Sequence, residues 1–510
     1  MKYFSLLSII GVVFTAKVNA ACWSERLGYR CCSFTNDVIL EDSDGKWGVE
    51  NNDWCGIQNN NSSNTCWSSS LGYPCCTNTN EVIYEDSDGK WGIENNNWCG
   101  IINNAARTTT TTRTTVTQSQ SSAAATCANV PNKPSLIDVD SYNDPAKNCN
   151  ISDSISGDSL AKVAPFRMGV GLNGGDKSTS TVNSKKMREL IAYQFNSVTY
   201  SNLMKAEHML DKSASQTNAK NGNDMPVLKF DTIIDGLEFC KQNNIHMRGH
   251  TLVWHVQTPD WFFRTNFQDS GSYVNSSKME QRMESYIKQV LQFVQCHYPG
   301  VVDVWDVVNE AVEIDNGSYD SSTGWNTRTR YNNSPNPWYQ TMGPDYVIKA
   351  FRIARKYADK DVKLVYNDYN TFMSQKTNAI CNLVKLLKAE NLIDAVGLQS
   401  YLNADWPNRN DYKSAIQKFS SLGVDIQITE LTIKTDGSGN KFNNQATHYQ
   451  QVFKIYKDLK KSGVNITSVT VFGLQDGYLF YNSDSTDTRL WDHNLQKKPV
   501  YSAIINALKS

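Results

Sequence analysis

From about residue 150 to the C-terminus, short runs rich in β-branched and aromatic residues alternate with longer stretches of helical period. The strand-like runs are Phe166-Arg-Met-Gly, Phe195-Asn-Ser-Val-Thr, Ile245-His-Met-Arg-Gly, Val302-Asp-Val-Trp-Asp-Val, Val362-Lys-Leu-Val-Tyr, Ala395-Val-Gly-Leu, Val424-Asp-Ile-Gln-Ile and Ser468-Val-Thr-Val-Phe. Helix-length segments such as Met279 to Gln295 and Ala379 to Ala389 lie between them. Eight strands in this alternation predict an α/β fold, a (β/α)8 barrel, and about 360 residues suffice for one. A doubly wound open sheet is the competing arrangement.

The N-terminal part follows a different pattern. Residues 22–57 and 66–101 repeat each other at a constant offset of 44, so that Cys22, Cys31, Cys32 and Cys55 correspond to Cys66, Cys75, Cys76 and Cys99. Units of some forty residues bury little core and need covalent staples, so two small disulfide-rich modules are expected ahead of the barrel. Four cysteines allow three connectivities, and adjacent Cys31-Cys32 and Cys75-Cys76 are poor mutual partners. Two bridges per unit, to Cys22 and Cys55 or to Cys66 and Cys99, are therefore expected. Zinc is the competing use of the thiols; export and the lack of a C-x-x-C pair count against it. No metal and no cofactor is expected.

Lys2, an apolar stretch from Tyr3 to Thr15 and Val18-Asn19-Ala20 have the order of a secretory signal peptide. The expected organisation is a signal peptide at 1–20, modules at 21–58 and 65–102, a Thr/Ser-rich linker at 103–126 and the barrel with an N-terminal strap at 127–510. Extracellular localisation follows. Cys127 and Cys149 bracket the strap and are expected to close it; of Cys240, Cys296 and Cys381 at least one is expected to be a buried thiol. A net charge of −1 with no basic stripe argues against nucleic acid and against electrostatic membrane binding.

In a barrel, polar residues ending the strands converge on one mouth. Here they are Asn202 and Lys205, His250 with Trp254 and His255, Asn309 and Glu310, Asn367 and Asp368, Gln399, and Glu430. Glu310 and Glu430 would face each other from strands four and seven. Two carboxylates about 5 to 5.5 Å apart are what a retaining glycosidase needs, one attacking the anomeric carbon and the other protonating the leaving oxygen. Asn309 is suited to a sugar 2-hydroxyl, and Lys205 and His250 to neighbouring hydroxyls.

Arg248-Gly-His-Thr-Leu-Val-Trp-His255, Trp305-Asp-Val-Val-Asn-Glu310, Asn367-Asp-Tyr-Asn370, Gly397-Leu-Gln399 and Ile428-Thr-Glu430 resemble the strand motifs of family 10 glycoside hydrolases, chiefly endo-β-1,4-xylanases. The resemblance covers roughly 160–505 and implies a secreted retaining endo-1,4-β-xylanase with Glu310 as acid/base and Glu430 as nucleophile. It implies that Asn202, Lys205, His250, Trp254, Asn309 and Gln399 line the sugar subsites. Tyr401 stands where the family has a His against the nucleophile, Ser201 where it has a Glu, Ala206 where an aromatic is common, and Phe472 and Phe480 where Trp walls the subsites. Tyr401 donates one hydrogen bond but carries no positive charge, so a shifted pH profile is expected. Another β-1,4-glycan as substrate, or a catalytically impaired polysaccharide-binding component, are the alternative readings.

The repeats, with their Cys-Trp, Gly-Tyr-x-Cys-Cys and Lys-Trp-Gly elements, resemble carbohydrate-binding module family 10 in the version that anaerobic fungi use as dockerins. The resemblance implies a cellulosome scaffold protein, or cellulose, as partner. It points to Tyr29, Asp44 and Trp47, and to Tyr73, Asp88 and Trp91, as the binding face.

Overall fold

The computed structural model describes residues 130–510 except 315–317, 321–323, 436–437 and 478–486, together with Cys127 and parts of 23–57 and 68–101. The chain divides into two compact units, 1–117 and 118–510.

The second unit is built on eight strands: β1 Arg167–Leu172, β2 Ser197–Tyr200, β3 His246–Trp254, β4 Val302–Asn309, β5 Lys363–Tyr369, β6 Ala395–Gln399, β7 Asp425–Ile433 and β8 Ile466–Val471. Each pairs in parallel with its sequence neighbours, and β8 pairs with β1 from Ser468↔Arg167 to Val471↔Val170, which closes the ring. This is the expected (β/α)8 barrel. Strands covered by helices outside and by side chains inside read as nearly continuous apolar runs. All five residues of β6, for example, are buried.

The covering helices are α1 Lys185–Gln194, α2 Ile234–Asn243, α3 Ser276–His297, α4 Tyr346–Tyr357, α5 Ser374–Ala389, α6 Arg409–Ser420, α7 Lys441–Lys461 and α8 Pro499–Lys509. In α3 the Asn275 side chain accepts from the Lys278 amide as an N-cap, and Met279, Met283, Tyr286, Ile287, Val290, Leu291 and Val294 form its buried stripe. Among the described residues no helix is long and apolar enough to cross a membrane.

The barrel interior holds a buried polar cluster. Arg248 on β3 pairs with Asp306 on β4 and donates from Nε to Gln427 Oε1 on β7 at 2.7 Å, all buried. Such a pair costs desolvation to form, but losing one partner strands the other charge in the core.

The strap differs from expectation. Cys127 bonds to Cys296, not to Cys149. Cys296 lies in the last turn of α3, and the neighbouring His297 ring is 2.7 Å from the Pro131 carbonyl, so the strap is fixed to that helix end. Cys149 is a half-buried thiol, and Cys240 and Cys381 are buried thiols.

In the first unit each repeat forms a three-stranded antiparallel sheet, Leu40–Glu41, Lys46–Glu50 and Asp53–Gly56, then Tyr84–Glu85, Lys90–Glu94 and Asn97–Gly100. The register recurs, with Gly48↔Cys55 matched by Gly92↔Cys99. Cys32–Cys55 and Cys76–Cys99 are bonded, in keeping with the expected bridges to the last cysteine of each unit. Cys22 and Cys66 lie outside the described residues, as do the segments read as signal peptide and linker.

Candidate active site

Glu310 follows β4 directly with φ +56°, a left-handed conformation uncommon for a non-glycine residue. Its surroundings hold that conformation: the Glu310 amide donates to the Asn367 carbonyl at 2.9 Å, and Arg328 Nε donates to the Glu310 carbonyl at 2.9 Å. The carboxyl group is held on both oxygens. Gln399 Nε2 donates to Oε1 at 2.9 Å and Trp254 Nε1 donates to Oε2 at 3.1 Å.

Glu430 comes from the middle of β7 and is likewise buried. Asn367 Nδ2 donates to its Oε1 at 3.1 Å, and the Tyr401 hydroxyl donates to its Oε2. The two glutamates share a connecting network, because Asn309 Oδ1 accepts from Asn367 Nδ2 at 2.9 Å and from Gln399 Nε2 at 3.1 Å. A continuous path of amides therefore runs from Glu310 through Gln399, Asn309 and Asn367 to Glu430. With its oxygen so occupied, Asn309 has its NH2 group left to offer a ligand. Gly397 makes room for this arrangement: a Cβ there would lie 2.4 Å from Asn367 Oδ1.

Burial pushes the Glu310 carboxyl above its ordinary range; the nearby Asp368 and Glu430 charges add to this, while the Gln399 hydrogen bond and Arg328 oppose it. Asp368 is itself buried and ion-paired with Lys376 at 2.7 Å, and it accepts from the Tyr366 hydroxyl at 2.6 Å. Lys205 is lowered to about 8 by burial, although Glu430 and Glu310 pull the other way.

Lys205 Nζ donates to Asn202 Oδ1 at 3.1 Å and to Gln257 Oε1 at 2.7 Å, and lies 4.6 Å from the Trp254 ring centroid. His250 Nδ1 is 2.8 Å from Asp306 Oδ2, so the barrel's buried ion pair also orients this ring. Phe472 is buried, with its ring 6.3 Å from that of Tyr401. Ser201 is turned away, its hydroxyl donating to the Leu172 carbonyl at 2.9 Å, and Ala206 is buried. Phe480 lies outside the described residues.

Hydrogen bonds thus bring Trp254, Asn309, Gln399 and Tyr401 together around Glu310 and Glu430. Asn202, Lys205 and His250 stand beside them, linked to Trp254 or to the buried Asp306. Two contributors have no clear signal in the sequence, and a third, Asp368, contributes in a way the sequence does not show. Gln257 follows Trp254-His255 closely, and that spacing was its only signal. Arg328 sits in an irregular stretch after Trp325–Thr327 that has no useful periodicity. Asp368 was read as a strand end but not as a charge acting on Glu310.

The module faces need correction. Trp47 and Trp91 are buried, each only 7% exposed, and so do not form a binding face. Trp47 donates from Nε1 to Asp42 Oδ2 at 2.8 Å and packs edge-on against Trp23 and Tyr29, because so small a unit has few other large rings for a core. Tyr29 and Asp44 are exposed, as are Ile39, Leu40 and Trp54. Tyr73 and Asp88 lie outside the described residues.

Comparison with known proteins matches the glycosyl hydrolase family 10 profile to residues 160–507, and a cellulose or protein binding domain profile to 21–57 and 65–101. The chain belongs to glycosyl hydrolase family 10. It is a glycoside hydrolase, of the class that includes endo-1,4-β-xylanases. Endo-1,4-β-xylanase Y of Acetivibrio thermocellus is 39% identical over 351 residues, covering 67% of this chain and 31% of that one. Endo-1,4-β-xylanase B of Butyrivibrio fibrisolvens is 40% identical over 328 residues, covering 63% and 49%. The chain thus spans less than half the length of these two relatives. A crystal structure of the N-terminal CBM22-1 and GH10 modules of a Clostridium thermocellum endo-1,4-β-D-xylanase, complexed with xylohexaose, superposes with a TM-score of 0.61 at 38% identity, covering 68% of this chain and 66% of that one.

Proposed function

We propose that this chain is an exported, retaining endo-1,4-β-xylanase, with Glu430 as nucleophile and Glu310 as general acid and then base. The observation that carries the reading is the shared amide network, which holds two buried carboxyls in fixed relation while giving them different environments. Glu430, held by Asn367 and Tyr401, is oriented to attack an anomeric carbon. Glu310, whose carboxyl is pushed above its ordinary range by burial and neighbouring negative charge, is suited to supply a proton to the departing glycosidic oxygen. Once the proton has left, the same carboxylate takes one from the water that releases the glycosyl-enzyme.

Asn309, Lys205 and His250 would bind hydroxyls of the sugar at the cleavage point, with Trp254 as part of the wall. Xylan as substrate is supported by the names of the relatives. Reducing-sugar release from xylan, compared with mixed-linkage glucan and cellulose, tests it; equal or greater turnover of a glucan would overturn the xylan preference.

The modules support attachment to a cellulosome scaffold protein, or to cellulose. Their disulfides favour an oxidising, extracellular setting. Exposed Tyr29, Trp54, Ile39 and Leu40 offer apolar surface for such contact on the first module. Pull-down of the full chain on crystalline cellulose against purified scaffold separates the two, and retention on cellulose alone would rule out docking.

A further inference from the structure

A second groove, apart from the carboxylates, lies where the loop from β5 to α5 meets the loop from β6 to α6. It has a volume of about 840 Å³, within the range of sites that hold small organic ligands. None of the residues placed above around Glu310 and Glu430 lines it. Its floor is apolar, with buried Phe372, Pro407 and Ala415. Over that floor stands Trp406, a large ring left 43% exposed and braced edge-on by Phe372 at 4.6 Å between centroids.

The rim is polar and close to neutral. Gln375, Asp411 and Ser414 are exposed there, and among the described residues their side chains make no hydrogen bond within the protein. Asp405 and Asp411 are balanced by Lys418 in the lining and by Arg409, which acts on Asp405, so the groove offers no net positive charge to a phosphate or carboxylate ligand. A purely apolar ligand would leave the rim's amide and carboxylate groups uncovered. A neutral ring with one apolar face and hydroxyls around its edge fits both surfaces.

We infer that this groove is a second polysaccharide-binding site, in which Trp406 stacks on a pyranose of a β-1,4-linked xylan chain and the Gln375–Asp411–Ser414 rim holds its hydroxyls. The inference rests on the xylanase reading for the identity of the polymer. Lined by both loops and by residues of α5 and α6 from Ser374 to Thr377 and from Asp411 to Lys418, the groove lies toward the barrel end at which β5 and β6 terminate. A polymer held here is kept near the mouth between cleavage events, without contributing to the bond-breaking step.

The test uses the full chain in two assays. Affinity electrophoresis in gels containing soluble arabinoxylan is run in a Glu430→Ala background, with and without Trp406→Ala or Gln375→Ala/Asp411→Ala. Turnover of an aryl xylobioside, which offers only two sugars to the mouth, is measured with Glu430 intact. Loss of one stacking platform should raise the apparent Kd for arabinoxylan roughly fivefold. The rim variant should show a smaller loss, and both should turn over the aryl xylobioside as the parent does. Unchanged retardation of both variants, with aryl turnover intact in the parent, would overturn the second site. Lost aryl turnover in the rim variant would overturn its separation from the mouth. A parent that does not turn over the aryl xylobioside would instead refute the xylanase reading.

Discussion

The hydroxyl of Tyr401 donates directly to Glu430 Oε2, from the short strand that follows β6 to the middle of β7. Family resemblance implies a histidine at this place, so a neutral donor replaces a group able to carry charge. Glu430, the proposed nucleophile, is oriented from both sides, by Tyr401 and by Asn367. Tyr401→Phe should keep the fold and lower kcat by roughly 10- to 100-fold, the range for losing a hydrogen bond to a charged group. Steady-state kinetics on an aryl xylobioside and on xylan check this, and an unchanged kcat would remove Tyr401 from the catalytic arrangement.

In the proposed role Glu310 must be protonated when the glycosidic oxygen leaves, so activity should fall as pH rises through its elevated value. Asp368 helps raise that value. Asp368→Asn removes a like charge and leaves Lys376 unpaired, and both changes favour the ionised Glu310. The basic limb of kcat/KM should therefore move to lower pH. The same variant should lose about 3 to 5 kcal/mol of stability, since a buried charge loses its partner. A basic limb that stays in place would show that Asp368 does not act on Glu310.

Glu310→Ala and Glu430→Ala should differ in kind. Without Glu310, an aryl xylobioside with a good leaving group should still form the glycosyl-enzyme, giving a burst, while xylan cleavage is lost. Without Glu430, both substrates should lose at least about 10⁴-fold in kcat. Identical behaviour of the two variants would contradict the division of roles.

The Cys127–Cys296 bridge spans a sequence separation of 169 residues. Closing so long a loop restricts the unfolded chain, by up to roughly 5 kcal/mol in the entropic account. Cys127→Ser should lower the melting temperature by several degrees and leave kcat unchanged. Calorimetry of the variant checks this; an unaltered Tm would mean that the strap adds nothing to the barrel.

The barrel was legible in the sequence because each buried strand leaves an apolar run of its own, and all eight runs became strands. The glutamates were legible for a related reason: a carboxylate at the end of such a run stands out. What joins them was less so. Asn367 bridges Asn309 and Glu430 only because Gly397 leaves space beside it, and neither fact has a local signature. The strap bridge was misread because Cys127 and Cys149 are near in sequence, whereas the end of α3 is near in space. The module resemblance places Trp47 and Trp91 on a binding face, where ring exposure has no signature in the sequence. The sheets of the modules instead use those rings as core, and Trp54 and Tyr29 remain outside.

The central claim is a double displacement at Glu310 and Glu430, and it is tested most directly by proton NMR of the first products released from a xylo-oligosaccharide, before mutarotation. Retention predicts that the β anomer appears first and the α anomer grows in later. An α anomer appearing first would contradict the assignment of Glu430 as nucleophile.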